Sequence, residues 1–177
     1  MEQIQEKFFT FEGLQGFAEI HDELNKIYNE AFKGRDYFDF EMAVVEAMSN
    51  AAQYSLYGPT EAKISMRIRI MPNDIGVTIF SRTKPFDVRK YRKKLQKLAD
   101  HQEFGQMDWG DYIGERNESS GFWYMLTGCD YLYMDENGQR ITLVAKTANL
   151  PLVRKQITKI NLLVPRFMIR NKTGVIE

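Results

Sequence analysis

Few residues in this chain have types and spacing suited to chemistry. The clearest are Glu46 and Asn50, in the stretch EAMSNAAQYS (46–55). Four residues make about one helical turn, so on a helix the carboxylate and the amide share a face. At about 100° per residue, Ala43, Glu46, Asn50, Gln53 and Tyr57 form one narrow stripe. Met42, Val45, Met48, Ala52 and Leu56 cover the neighbouring flank. No Lys or Arg lies between Arg35 and Lys63, so Glu46 has no local ion-pair partner. A buried, unpaired carboxylate is costly unless something bonds it. Two placements resolve this. Glu46 sits at the exposed edge of an amphipathic helix, or it faces a cleft with water and a ligand. In a cleft the carboxylate can serve as a general base, and an amide oxygen one turn on can bind Mg²⁺, which prefers oxygen ligands.

Other chemical signals are sparse. His21 and His101 are far apart and lack zinc-ligand spacing. Cys129 is the single cysteine, which rules out an intrachain disulfide and fits a reducing compartment. Lys plus Arg number 24 and Asp plus Glu number 24, for a net charge of zero. That balance argues against a general nucleic-acid or membrane-surface role. The run RKYRKKLQK (89–97) is locally basic, either a solvated helix face or a docking patch for an acidic partner. The start, MEQIQEK, has no apolar run of the signal-peptide kind, and no stretch is long and apolar enough to span a bilayer. The expectation is a soluble cytoplasmic protein.

The elements that must position Glu46 and Asn50 follow from periodicity. QEKFFTFE (5–12) reads as a first strand, and residues 14–31 carry helical spacing from Leu14 to Tyr28, with Gly34 as a stop. Asp36 or Asp39 can cap a second helix running to about Tyr57, before Gly58-Pro59. EAKISMRIRIM (61–71) and IGVTIFS (75–81) alternate in strand fashion about a Pro72-Asn73-Asp74 turn. A basic helix is predicted from about Phe86 to Ala99, then a long loop over 100–118, then a short helix starting at 119–121. DYLYM (130–134) and RITLVAK (140–146) read as a second hairpin, and ITKINLLV (157–164) as one more strand. Phe8, Phe9 and Phe11, like Phe122, Trp123 and Tyr124, suit a core or a dimer seam. The order β-α-α-β-β-α-loop-α-β-β predicts a two-layer α/β sandwich. Its sheet is mixed and mostly antiparallel, with helices on one face.

FEMAVVEAMSNAAQYSLYG (40–58) resembles the N box of the GHKL (histidine-kinase-like) ATPases, closest to the small anti-sigma-factor serine kinases. In that branch a Glu is followed by an Asn four residues later and then usually by a His, where this chain has Tyr54. The resemblance implies a Bergerat-type ATP-binding fold, with Glu46 as the base that activates a hydroxyl and Asn50 as a ligand of Mg²⁺. SRTKPFD (81–87) stands where the family has its first glycine box. Phe86 and Asp87 match, Ser81 replaces the aspartate that bonds adenine, and Thr83 and Pro85 replace glycines. ESSGFWYMLTGCDYL (118–132) is similar to the second glycine box, with Ser119, Ser120 and Gly121 at a helix start suited to a phosphate or to a plain N-cap. Residues 100–118 occupy the place of the ATP lid, with Arg116 as a candidate phosphate contact, and Thr142 falls near a threonine that lies by the adenine.

The resemblance spans about residues 5–147. It implies one ATPase domain, 1–147, with 148–177 as an extension packed on it or reaching a partner. The activity implied is ATP- and Mg²⁺-dependent serine/threonine phosphorylation of a regulatory protein, sigma-factor-like or anti-anti-sigma-like. Homodimerisation is common in the family. The altered Ser81, Thr83 and Pro85 point to the alternative of a protein that binds a regulatory partner without nucleotide turnover.

Overall fold

In β2 (Lys63–Ile70) every second residue is apolar, and Ile64, Met66 and Ile68 are buried while Ser65, Arg67 and Arg69 face water. β2 belongs to a six-stranded sheet in the computed structural model, which describes residues 4–117, 120–148 and 157–177. The strand order is β1-β2-β3-β5-β4-β6. The strands are β1 (Gln5–Glu12), β2, β3 (Asp74–Ser81), β4 (Tyr131–Asp135), β5 (Arg140–Lys146) and β6 (Phe167–Arg170). All neighbours are antiparallel except β4 and β6, which are parallel. In the central register Ile79 stands opposite Ile141 and Thr78 opposite Thr142. The odd-numbered set of β3 and β5 (Ile75, Val77, Ile79, Ile141, Leu143 and Ala145) enters the core. Thr78 and Thr142 lie on the other face, where their hydroxyls bond at 2.9 Å.

Helices cover the apolar face. The predicted helix over 14–31 is two, α1 (Gly13–Glu19) and α2 (His21–Ala31), because the chain tightens at Ile20, whose N–H donates to the Phe17 carbonyl at 3.2 Å. The bend sets Phe17 beside Phe11, ring centroids 6.0 Å apart, while Leu24, Ile27 and Tyr28 enter the core. Next comes α3 (Phe38–Gln53), with the Asp36 carboxylate accepting the Phe38 N–H at 2.9 Å. It ends four residues before the predicted Tyr57. Beyond it Ser55 bridges Thr83, and the Leu56 N–H donates to the Arg82 carbonyl at 2.9 Å, so this backbone is committed to the segment after β3.

After α4 (Val88–Asp100), the stretch predicted as loop holds a 3₁₀ turn (Phe104–Gln106) and α5 (Trp109–Arg116). Only two turns long, α5 buries just Trp109 and Ile113, one turn apart, and its period is hard to read in a short window. In α6 (Gly121–Gly128) two glycines allow close packing on α3. A Cβ at Gly128 would stand 2.7 Å from the Ala43 Cβ and 3.0 Å from the Asp39 carbonyl carbon.

The predicted strand at 157–164 is instead a helical turn, α7 (Ile160–Leu163), continued by a 3₁₀ turn over Val164–Arg166. Ile160, Leu163 and Val164 follow helical spacing and are buried, and Pro165 opens the 3₁₀ turn. The strand follows as β6, which covers the β4 edge and adds Phe167 and Ile169 to the shared core. Among the described residues no helix is long and apolar enough to cross a membrane.

Candidate functional site

Three separate stretches converge on one cavity of about 500 Å³. One wall is the end of α3, with Asn50, Ala51 and Tyr54. A second is the β3–α4 connection, with Thr83, Lys84 and Phe86. The start of α6 supplies Gly121, Phe122 and Met125. The floor is the apolar face of the sheet, where Ile79 and Ile141 are register partners. Volume and lining are those of a small-molecule site, mostly apolar with a few polar groups to orient a ligand.

Local chemistry explains how each piece is held. Ser55 and Thr83 bridge, and the Lys84 N–H donates to the Tyr54 carbonyl at 2.9 Å, which ties the β3–α4 segment to the end of α3. The Gln139 amide donates to the Thr83 carbonyl at 3.3 Å. In the β4–β5 turn Gly138 has φ +72°, and a Cβ there would come within 3.2 Å of the Phe86 ring. Glycine therefore serves both the left-handed turn and the close seat of Phe86.

Asn50, Thr83, Phe86 and Gly121 all line the cavity. Glu46, half-buried and one turn before Asn50, reaches across to α6: a Cβ on Gly121 would stand 3.0 Å from its Cδ and overlap Oε1. Its carboxylate thus sits at the first residue of α6, where the positive end of a helix favours an anion. No described residue bonds or ion-pairs that carboxylate. Ser120 occupies the N-cap position of α6, yet its hydroxyl makes no capping bond. Ser119 lies outside the described residues.

Other predicted contacts are placed elsewhere. Ser81 is buried, and its hydroxyl donates to the Ala51 carbonyl at 3.3 Å, so it braces α3 against β3 instead of facing the cavity. Asp87 caps α4, accepting the Lys90 N–H at 2.9 Å. The Arg116 guanidinium lies over Tyr112, 4.0 Å from the ring centroid, and over Phe104 at 4.8 Å. It is not among the residues around the cavity. Thr142 is on the opposite face of the sheet, and the cavity residue of β5 is its neighbour Ile141, since adjacent strand residues point to opposite faces. Sequence reasoning missed Lys84 and Gln139, the cation and the amide beside the cavity. Lys84 stands within SRTKPFD, but nothing in its spacing marks it; Gln139 becomes a wall only through the β4–β5 turn.

Among the described residues no group of three or more His, Cys, Asp or Glu side chains is arranged to hold a metal ion. Mg²⁺ does not need such a cage, because it commonly keeps waters and substrate phosphates and takes one or two protein oxygens. Asn50 offers one amide oxygen at the cavity wall. No protein-family model matches this chain, and no curated protein matches it.

Proposed function

We propose that this chain is an ATP- and Mg²⁺-binding regulatory protein of the GHKL type, resembling an anti-sigma-factor serine-protein kinase. The observation that carries the reading is the meeting of Asn50, Thr83, Phe86 and Gly121, from three distant boxes, around one cavity. The apolar walls from Ile79, Met125, Met134 and Ile141 suit a flat heteroaromatic base. Lys84 and the free N–H groups of the first turn of α6 supply positive charge for phosphates. Asn50 would hold the metal through its amide oxygen. Glu46, beside Gly121, would take the proton from a serine hydroxyl of the protein substrate, and catalysis would rest mainly on positioning and charge.

A second reading draws on Ser81. With its hydroxyl given to the Ala51 carbonyl, no polar group at that position faces a base. That favours a protein that binds its regulatory partner without turning nucleotide over. Calorimetric titration with ATP, with and without Mg²⁺, tests the first reading. It predicts saturable binding that Asn50→Ala weakens more strongly when Mg²⁺ is present. A ligand at 100 times its dissociation constant stabilises the fold by about 2.7 kcal/mol, so the melting temperature should rise as well. No heat and no thermal shift at millimolar nucleotide would refute nucleotide binding. Partner binding that survives ATP removal and Glu46→Ala would establish the second.

A further inference from the structure

The basic helix α4 has two differently used flanks. On one, Arg89 is clamped by Glu136 at 2.7 Å and Glu177 at 2.6 Å, and Arg92 donates to the Phe167 carbonyl at 2.9 Å and to Gln96 at 2.6 Å. These arginines hold the helix to the rest of the fold. On the other flank stand Lys90, Lys93, Lys94 and Lys97, within about 100° of arc. None of the four has an ion-pair partner among the described residues. They border a groove of about 890 Å³ between α4 and the 104–113 stretch. Its floor is apolar, from Leu95, Leu98, Phe104, Tyr112 and Ile113.

We propose that this groove docks a short acidic amphipathic helix of a partner protein. Charge complementarity is the first argument. A chain of zero net charge concentrates four unpaired lysines along one apolar groove, and an acidic segment is what such a rim attracts and orients. Spacing is the second. Lys90, Lys94 and Lys97 lie at helical positions i, i+4 and i+7 over roughly 10 Å, a ladder that carboxylates at the same spacing on a second helix can match while its apolar flank fills the floor.

A single-stranded nucleic acid, the other polyanion, fits less well. Base stacking needs open ring faces. Here Phe104 is stacked by His101 at 4.3 Å, Tyr112 is covered by Arg116, and Phe86, Tyr91 and Phe122 meet one another at 5.5 and 5.0 Å. The proposal rests on the regulatory-partner half of the function given above, not on nucleotide binding.

The test is fluorescence anisotropy of the full chain with a labelled synthetic helix. The helix carries Glu at i, i+4 and i+7 and Leu and Phe on the adjoining flank, and no nucleotide is present. Expected is saturable, salt-sensitive binding, weakened about tenfold or more by the triple variant Lys93→Glu/Lys94→Glu/Lys97→Glu and by a peptide with Gln for Glu. Those lysines are exposed, so the variant should keep its circular dichroism spectrum and its response to ATP; failure of either proposal can then be read separately. Equal binding by the Gln peptide, or indifference to the lysine changes, overturns the proposal. So does tighter binding of a mixed-sequence oligonucleotide, or a lysine-dependent dimer that excludes the peptide.

Discussion

Gly121 has two explanations that a double-mutant cycle separates. In one, the glycine leaves room for a ligand at the start of α6. In the other, it makes room for Glu46. Adding a Cβ at Gly121 overlaps the carboxylate oxygen and brings Cδ to 3.0 Å and Cγ to 3.4 Å, all in one flexible side chain. Overpacking costs about 1–3 kcal/mol in a rigid core, and a half-buried side chain that can swing aside sits at the low end, about 1 kcal/mol. Alanine in a helix returns up to about 1 kcal/mol over glycine, less at the first position. Gly121→Ala alone should therefore destabilise by about 0–1 kcal/mol. With Glu46→Ala in place the clash is gone, and the same change should be neutral or stabilising. The coupling energy expected is about 1 kcal/mol, above the ~0.5 kcal/mol within which independent sites add.

Gly128 is the control. Its Cβ would meet the Asp39 backbone and the Ala43 Cβ at 2.7 Å, which no rotamer change relieves. Gly128→Ala should cost more than Gly121→Ala, and Glu46→Ala should not rescue it. Urea unfolding followed by far-UV circular dichroism gives all the terms, provided the denaturant slope is common to the variants. If Gly121→Ala and Glu46→Ala add within ~0.5 kcal/mol, Glu46 does not rest on α6 and its placement beside the cavity is wrong.

Two further expectations concern stability. The Tyr28 hydroxyl is buried without a hydrogen-bond partner among the described residues, and burial, with the Glu41 and Tyr37 charges behind it, pushes its ionisation well above the ordinary tyrosine value. Tyr28→Phe should therefore stabilise by about 1 kcal/mol, or roughly 2–4 °C in a thermal melt; a lower melting temperature would mean that the hydroxyl is satisfied after all. On the open sheet face, hydrogen bonds from Arg67 and Arg69 hold the Glu6 carboxyl below its ordinary value. Between the folded and unfolded values the unfolded chain binds more protons, so stability rises with pH there. The advantage of wild type over Glu6→Gln should be full above the unfolded value of about 4.3 and disappear as pH falls through the lowered folded value. It should also shrink with salt, since the pair is exposed, and an advantage that does not change down to the most acid readable melt would contradict the assignment.

What could be read from the sequence divides along physical lines. Strands rich in β-formers announce themselves: β1 and β5 match their predicted spans, β5 through alternation over seven residues and β1 through its cluster of phenylalanines. So does α3, whose length and apolar flank outweigh its polar stripe. Among the short elements, α6 and β4 were legible from their flanking turn residues, but two others were not. In α5 two buried residues carry the whole pattern, and in the 157–170 segment helical spacing and strand propensity compete over a few residues. The apolar run ITKINLLV fits either. What decided it was tertiary: Ile160, Leu163 and Val164 had a core to enter, and the free edge of β4 was left for Phe167–Arg170.

Side-chain direction was harder to read than element type, and the site depends on direction. Thr142 and Ile141 differ by one residue, and the pleat sends one to solvent and the other to the cavity. Ser81 keeps its place at the end of β3, but a short hydroxyl in a buried position takes the nearest carbonyl, which belongs to Ala51. Asp87 likewise satisfies the N–H groups of α4 before it can serve a ligand. Each of these polar groups is accounted for by the fold, whereas Glu46 is not: it is half-buried, unpaired among the described residues and set against the start of a helix. A half-buried carboxylate in that position is stabilised by the positive end of the helix and by the solvent that still reaches it. The fold gives that charge no partner among the described residues, and the coupling of Glu46 to Gly121 is what fixes where it sits.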